Sequence, residues 1–342
     1  MRRLLVVYNP NSSQYIHVKR EFLSELPKLK SVMVGKFTIE KAPFSKNVTR
    51  LKKVLKPGDT VIAAGGDATA SVCLNAILES GKDITLGVLP YGNFNDLART
   101  LGTMKKDDIL DYVWASDSDN IRAGDARGRV PAKLPKGGCR GRDNGRQDPP
   151  RIVSLYLIDI IVDGKHWRYA SGYVTAGMTA EAVELFDAPK FRKYMQQGHK
   201  SSWRSYLALA KWYFKNRHKH IFIPEFTLNG QPTKKGISDY CALSGRSMCR
   251  VMKGGDDYLK PQVFRSENCR LVSFPRLCAL MFKAIFFRTP GTETTRDLLE
   301  FTHPATIELQ AEGEYQVFKD VKTIEIIKPT DKSIKVIHKE RR

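Results

Sequence analysis

Residues 63–71 read AAGGDATAS, an apolar run that ends in Gly65 and Gly66, then an aspartate, then the start of a helical pattern. Glycines at the end of a buried strand let backbone N–H groups approach phosphate oxygens closely, and the helix N-terminus adds partial positive charge. The stretch is therefore a phosphate cradle in kind. Asp67 cannot hold phosphate itself, since like charges repel, but it can hold Mg²⁺ directly or through water and so bridge to a nucleotide. The same residues also suit a plain helix cap, with Asp67 or Thr69 satisfying free N–H groups. Spacing alone leaves both readings open.

Working outward, LLVVYN (residues 4–9), TVIAAGG (60–66) and ITLGVLP (84–90) each end in Gly, Asn or Pro, as strands of a parallel sheet buried on both faces do. Helical spacing over 18–29, 48–55 and 69–79 falls between or after them. This βαβ layout gathers loops at the strand C-terminal ends, where open α/β sheets place ligands. One such loop is LPYGNFNDLART (89–100), in which Gly92, Asn93, Asn95 and Asp96 form a polar turn opening a helix. Asp96 and Asp67 thus face one crevice. Asp125 in GDARG, and Glu312 and Glu314 in AEGEY, are further acids whose spacing alone says little.

At 342 residues and 42% apolar content the chain is long enough for two domains. Six cysteines include no CxxC pair and no His partner at metal-ligand spacing, so they read as buried thiols in a reducing compartment. The opening apolar run is too short for a signal-peptide core and reads as a first strand. No run reaches the roughly 18 apolar residues of a membrane span. The net charge of +21 is attractive to anionic surfaces. Residues 126–150 are rich in Gly, Pro and Arg and read as a basic insert, with nine Lys or Arg between Arg122 and Arg151. β-like runs follow at 152–163, 169–175, 306–313 and 322–329, with a helical block at 202–215 that has a basic rim.

GGDAT (65–69) and PYGNFNDLAR (90–99) resemble the paired GGDGT and PxGTxNDFAR signatures of the diacylglycerol kinase catalytic domain family, related to sphingosine kinases. YNPNSS (8–13), IRAGDARG (121–128), AGMTAEAV (176–183), KSSWRSYLALAKWYFKNR (200–217) and AEGEY (311–315) continue the resemblance. It implies an N-terminal α/β nucleotide-binding domain at 1–125 and a β-sandwich lipid-binding domain at 151–315. Strands from about residue 316 to 342 are expected to return to the first domain. It also implies ATP and Mg²⁺ as cofactors and a lipid hydroxyl as acceptor. By resemblance Asn9, Gly65, Gly66, Asp67, Thr69, Gly92 and Asn95 hold the nucleotide. Asp67, Asp96 and Asp125 organise the metal, Glu314 is the general base, and Asp96 and Asp67 share the catalytic centre.

The chain departs from the family at Ala68, Asn93, Phe94 and Glu312, where glycine, threonine, a small residue and aspartate are usual. PQVFRSENCRLVSF (261–274) lacks the family's DDGxLD segment, so no structural metal is carried over. The rival readings are an NAD-kinase-like or sugar-phosphate kinase, and a degraded kinase fold that binds anionic membrane or nucleic acid. The insert has no interleaved aromatics for base stacking, which favours lipid headgroups over nucleic acid. The expected setting is cytoplasmic, peripheral at a membrane through the basic surface; a homodimer is compatible with the sequence.

Overall fold

The computed structural model describes residues 3–12, 14–28, 32–92, 95–109, 112, 150–182, 211–212, 215, 223–233, 236–245, 247–248, 252–254, 259–269, 279, 282 and 291–339. Asp125, Asn93, Phe94, most of the insert and most of the block at 202–215 lie outside them.

The first half supplies β1 (Arg3–Tyr8), α1 (Tyr15–His17), a π-helical turn at Val18–Leu23, a 3-10 turn at Leu26–Lys28, β2 (Met33–Thr38) and α2 (Phe44–Val54). It continues with β3 (Thr60–Gly65), α3 (Asp67–Ser80), β4 (Thr85–Pro90) and α4 (Asp96–Thr100). Strands β2, β1, β3 and β4 lie side by side in parallel. Helices α2 and α3 cover one face, while Val18, Phe22, Met104 and Ile109 cover the other. That double burial is why β1, β3 and β4 read as continuous apolar runs. β2 carries no such run because it is the edge strand and buries only Phe37. The helix expected over 18–29 is broken into short turns, and Pro27, which lacks an N–H, lies in the second of them.

The second half contains β5 (Arg151–Tyr156), β6 (Ile158–Val162), β7 (Lys165–Ala170), β8 (Tyr173–Gly177), β9 (Phe226–Leu228), β10 (Gln231–Pro232) and β11 (Ile237–Leu243). Then come β12 (Ser247–Met248), β13 (Met252–Lys253), β14 (Val263–Cys269), β15 (Thr292–Thr294), β16 (Arg296–Ala311), β17 (Glu314–Ile327) and β18 (Ser333–His338). The order β15-β14-β11-β8-β16-β17-β6-β7, with β9 beside β16 and β10 beside β9, makes one continuous antiparallel sheet. It curls into a half-barrel over its own apolar core. The fold is an N-terminal parallel α/β sheet plus this C-terminal antiparallel half-barrel.

The division between the halves differs from the one read in the sequence. β5 joins the parallel sheet by pairing antiparallel with β18, which itself runs parallel beside β4. β17, expected to return to the first domain, stays in the half-barrel to Ile327. The run at 152–163 looks like one strand because its apolar residues continue from one sheet into the other; the chain changes sheets at Leu157. There the buried Leu157 N–H donates to the Lys332 carbonyl at 2.9 Å, so the outgoing and returning crossings lie side by side. No helix among the described residues is long and apolar enough to cross a membrane. Cys73 and Cys241 are buried free thiols, as the cysteine pattern suggested for them.

Candidate active site

β1, β3 and β4 end level with one another, Tyr8 beside Ala64 and Gly65 beside Pro90. Asn9, Gly65 and the loop after Pro90 therefore share one sheet edge. α3 leaves that edge with Gly66, which has no side chain, as its N-cap, and among the described residues no side chain is bonded to its opening N–H groups. Those donors, at the positive end of a 14-residue helix, remain available to an anion. Thr69 is buried beneath them; a methyl on Gly65 would lie 2.7 Å from Thr69 Cβ, which closes that position to larger residues. A methyl on Gly66 would sit 3.0 Å from Gly92 Cα, so the two loops pack backbone on backbone. The Tyr91 N–H adds a hydrogen bond to the Gly65 carbonyl at 3.1 Å.

The polar side chains of these loops hold the loops together. Asn95 adopts a left-handed φ of 54°. Its Oδ1 accepts the Gly92 N–H at 2.7 Å, and its Nδ2 donates to the Gly92 and Pro90 carbonyls at 2.7 and 3.2 Å. Its amide thus builds the turn. Asp67 Oδ1 accepts the Leu97 N–H at 3.1 Å, capping α4 on the neighbouring loop instead of its own helix. Burial pushes its carboxyl above the usual range, against the pull of the Leu97, Asp96 and Asn95 N–H groups and the Arg99 charge. Asp96 is buried and paired with Arg99 one turn on. Asn9 Oδ1 accepts the Asn11 N–H at 2.9 Å. Ala68 is exposed within α3 and has no positive φ, so its methyl brings no backbone strain.

Among the described residues no cluster of three or more acidic, His or Cys side chains stands ready for a metal. Mg²⁺ at phosphotransfer sites is commonly held by one or two carboxylates with phosphates and waters. Asp67 fits that role; the charge of Asp96 is already matched by Arg99.

The second half brings the hairpin between β16 and β17. Its turn residues, Glu312 and Gly313, have φ of 52° and 87°, the mirror-image geometry of two-residue hairpins. Glutamate is uncommon there, and its side chain explains how it is held. Oε1 accepts the Ser171 N–H at 2.7 Å, the Ser171 hydroxyl at 2.5 Å and the Gly172 N–H at 2.7 Å, all from the corner between β7 and β8. Burial raises this carboxyl's pKa despite those donors. The Ser71 hydroxyl of α3 faces the same carboxyl, although neither it nor Oε2 completes a hydrogen bond. One turn further along α3, Asn75 donates to the Tyr169 carbonyl and accepts its N–H, both at 2.9 Å. Glu314, half-buried, opens β17 beside this seam, and the charge of Arg168 in β7 acts on both glutamates.

The structure therefore brings Asn9, Gly65, Gly66, Asp67, Thr69, Gly92, Asn95 and Asp96 to one edge, and joins the Glu314 hairpin to them through α3. Asp125 lies outside the described residues. Sequence reasoning missed Ser71, Asn75, Ser171 and Arg168. A signal for the first two was present: Asp67, Ser71 and Asn75 recur every four residues along a largely apolar helix, one polar line on a buried element.

Residues 3–126 match the family model described as the diacylglycerol kinase catalytic domain. A diacylglycerol kinase of Bacillus subtilis (strain 168) is 34% identical over 112 residues, 32% of this chain and 36% of that protein. One from Staphylococcus aureus (strain MRSA252) is 29% identical over 151 residues, 40% and 44% of the two chains. The chain thus spans less than half the length of these curated relatives. In fold, it is similar to a crystal structure of a diacylglycerol kinase from Bacillus anthracis str. Sterne, with a TM-score of 0.58 at 13% identity over 98% of this chain and 96% of that one.

Proposed function

We propose that this chain, whose residues 3–126 match the diacylglycerol kinase catalytic domain model, is an ATP-dependent lipid kinase that phosphorylates diacylglycerol or a related membrane alcohol. The observation that carries the reading is the glycine-capped, unblocked start of α3, one turn from the buried hairpin that presents Glu314. Gly65, Gly66 and the first N–H groups of α3 receive the phosphates of ATP, with Asn9 and the Gly92 loop bordering the nucleotide. Asp67 is the ligand for Mg²⁺, which when bound neutralises phosphate charge. Glu314 takes the proton from the lipid hydroxyl as that oxygen bonds to the γ-phosphorus and the bridge to the β-phosphate breaks, releasing ADP. Asp96 contributes by holding Arg99 and the start of α4.

The net charge of +21 supports work at an anionic membrane surface. Nucleic acid is not the expected partner.

The test is transfer of labelled γ-phosphate from ATP with Mg²⁺ to a panel of lipids in mixed micelles. Wild type labels one lipid, and Glu314→Gln and Asp67→Asn each lower the rate by about 10²-fold or more. Labelling of NAD or a sugar phosphate in place of every lipid would overturn the lipid assignment.

A further inference from the structure

Tyr8 closes β1 at the sheet edge that carries the phosphate cradle, and Tyr15 opens α1 after the loop that follows. That loop folds back through its own backbone. The Ser12 N–H donates to the Asn9 carbonyl at 3.1 Å and the Tyr15 N–H to the Ser12 carbonyl at 3.2 Å, while Asn9 Oδ1 takes the Asn11 N–H. The return brings the Tyr15 ring onto the Tyr8 ring, with centroids 5.8 Å apart and planes 10° from parallel, an offset stack. Both side chains are half-buried, packed on the apolar cluster that includes Leu4, Val6 and Phe22 without being enclosed by it. Tyr8 pairs with Ala64 of β3, so the stack starts one strand, about 5 Å, from the strand that ends in Gly65.

We propose that the Tyr8–Tyr15 stack is the base platform of the nucleotide site: the purine of ATP extends the stack while its phosphates reach the start of α3. The proposal rests on the nucleotide reading of the cradle and not on the identity of the acceptor. A nucleotide is flat and aromatic at one end and anionic at the other, and here a pair of parallel rings and an unblocked helix start stand on neighbouring strands. Two aliphatic side chains would pin the loop as well, but only a ring offers a π-face to a base. The loop's backbone bonds hold the rings in place before any ligand arrives, so little ordering cost remains for binding.

The test is equilibrium binding, with Mg²⁺, of ATP and of inorganic tripolyphosphate, which has the phosphates but no base. Tyr15→Ala weakens ATP by about tenfold or more, the scale of one lost aromatic–base contact, and leaves tripolyphosphate within about twofold of wild type. Tyr15→Phe binds ATP as wild type does, because the ring and not the hydroxyl makes the contact. Magnetisation transfer in NMR links the purine ring protons to tyrosine ring protons in wild type and loses that link in Tyr15→Ala. None of this needs a lipid, so a protein that shows it and labels no lipid keeps the platform and loses only the lipid-kinase reading. If ATP and tripolyphosphate weaken equally in Tyr15→Ala, the pair only holds the Asn9 loop and the inference is overturned. If ATP binds wild type and Tyr15→Ala alike, the base lies elsewhere and the inference falls while the cradle stands. Binding of neither ligand to wild type overturns the inference together with the nucleotide reading.

Discussion

Replacing Gly92 by alanine puts a methyl where the two loops meet. Built on the existing backbone, that Cβ falls on Gly66 Cα, 2.8 Å from Asn95 Oδ1 and 3.2 Å from the Gly66 nitrogen. Carbon contacts are comfortable at about 3.5–4.0 Å, so relief needs a shift of about 1 Å. Nothing nearby yields cheaply: Gly66 is the backbone cap of α3, and Asn95 is tied by three hydrogen bonds. Overpacking of this kind costs about 1–3 kcal/mol. The displaced partner is the phosphate cradle, and a misplacement of about 1 Å in a positioned reaction costs about 10²-fold in rate. Binding of a fluorescent ATP analogue should weaken by about tenfold and phosphate transfer fall by about 10²-fold. Gly81→Ala is the control. Gly81 ends α3 at φ 62° with open space around it, so alanine there costs about 1 kcal/mol of backbone strain and leaves nucleotide binding unchanged. If Gly92→Ala loses stability but binds the analogue as wild type does, the loop contact is structural and the nucleotide lies elsewhere.

Asn75→Ala strands the Tyr169 N–H and carbonyl in a buried seam and should destabilise the protein by about 2–4 kcal/mol; hydrogen exchange at the Tyr169 amide reads whether the seam opens first. Asp67→Asn keeps an acceptor for the Leu97 N–H, so thermal stability should stay within about 1 kcal/mol while Mg²⁺-dependent transfer is lost; an equal fall in both would make Asp67 a cap only. For Glu312, burial raises the carboxyl pKa, so the folded state binds its proton more firmly than the unfolded chain. Its stability contribution is complete below the ordinary carboxylate value and declines as pH rises above it. Glu312→Gln retains the acceptor for Ser171 and Gly172, so its melting temperature should gain on wild type as pH climbs from acid to neutral; a difference that shrinks with pH would reverse the assigned shift.

What sequence could show followed from how local each cause is. β1, β3 and β4 were legible because burial on both faces leaves an uninterrupted apolar run, and the turn from β3 into α3 because two adjacent glycines end that run. β2 was hidden by its open edge. The change of sheet at Leu157 was invisible because either core asks for the same apolar residues. The site acids were found by type, while their partners were not. Asp67 bonds to a backbone group 30 residues away and Glu312 to one 141 residues away, and no spacing rule reaches across such distances. Asn95 was read as a nucleotide contact, yet its left-handed φ and three loop bonds give its amide a task inside the turn.

Those long-range bonds share one element. Asp67, Ser71 and Asn75 follow one another at successive turns of α3 and face, in order, the start of α4, the Glu312 carboxyl and the Tyr169 backbone. At 1.5 Å per residue each step advances about 6 Å, so a single rigid helix sets the spacing from the cradle at its N-terminus to the hairpin and then to the seam. The half-barrel cannot slide along α3 without breaking the Asn75 pair, nor can the hairpin turn relax while Ser171 and Gly172 hold Glu312. Glu314 therefore follows a turn fixed through Glu312 by Ser171 and Gly172, and α3 is tied to the neighbouring end of β7 through Asn75. Placement of this kind is most of what phosphoryl transfer requires of a protein; Ala68, exposed on α3, lies off that line of contacts, whereas Glu312 is a member of it, its carboxylate held by the Ser171 and Gly172 N–H groups.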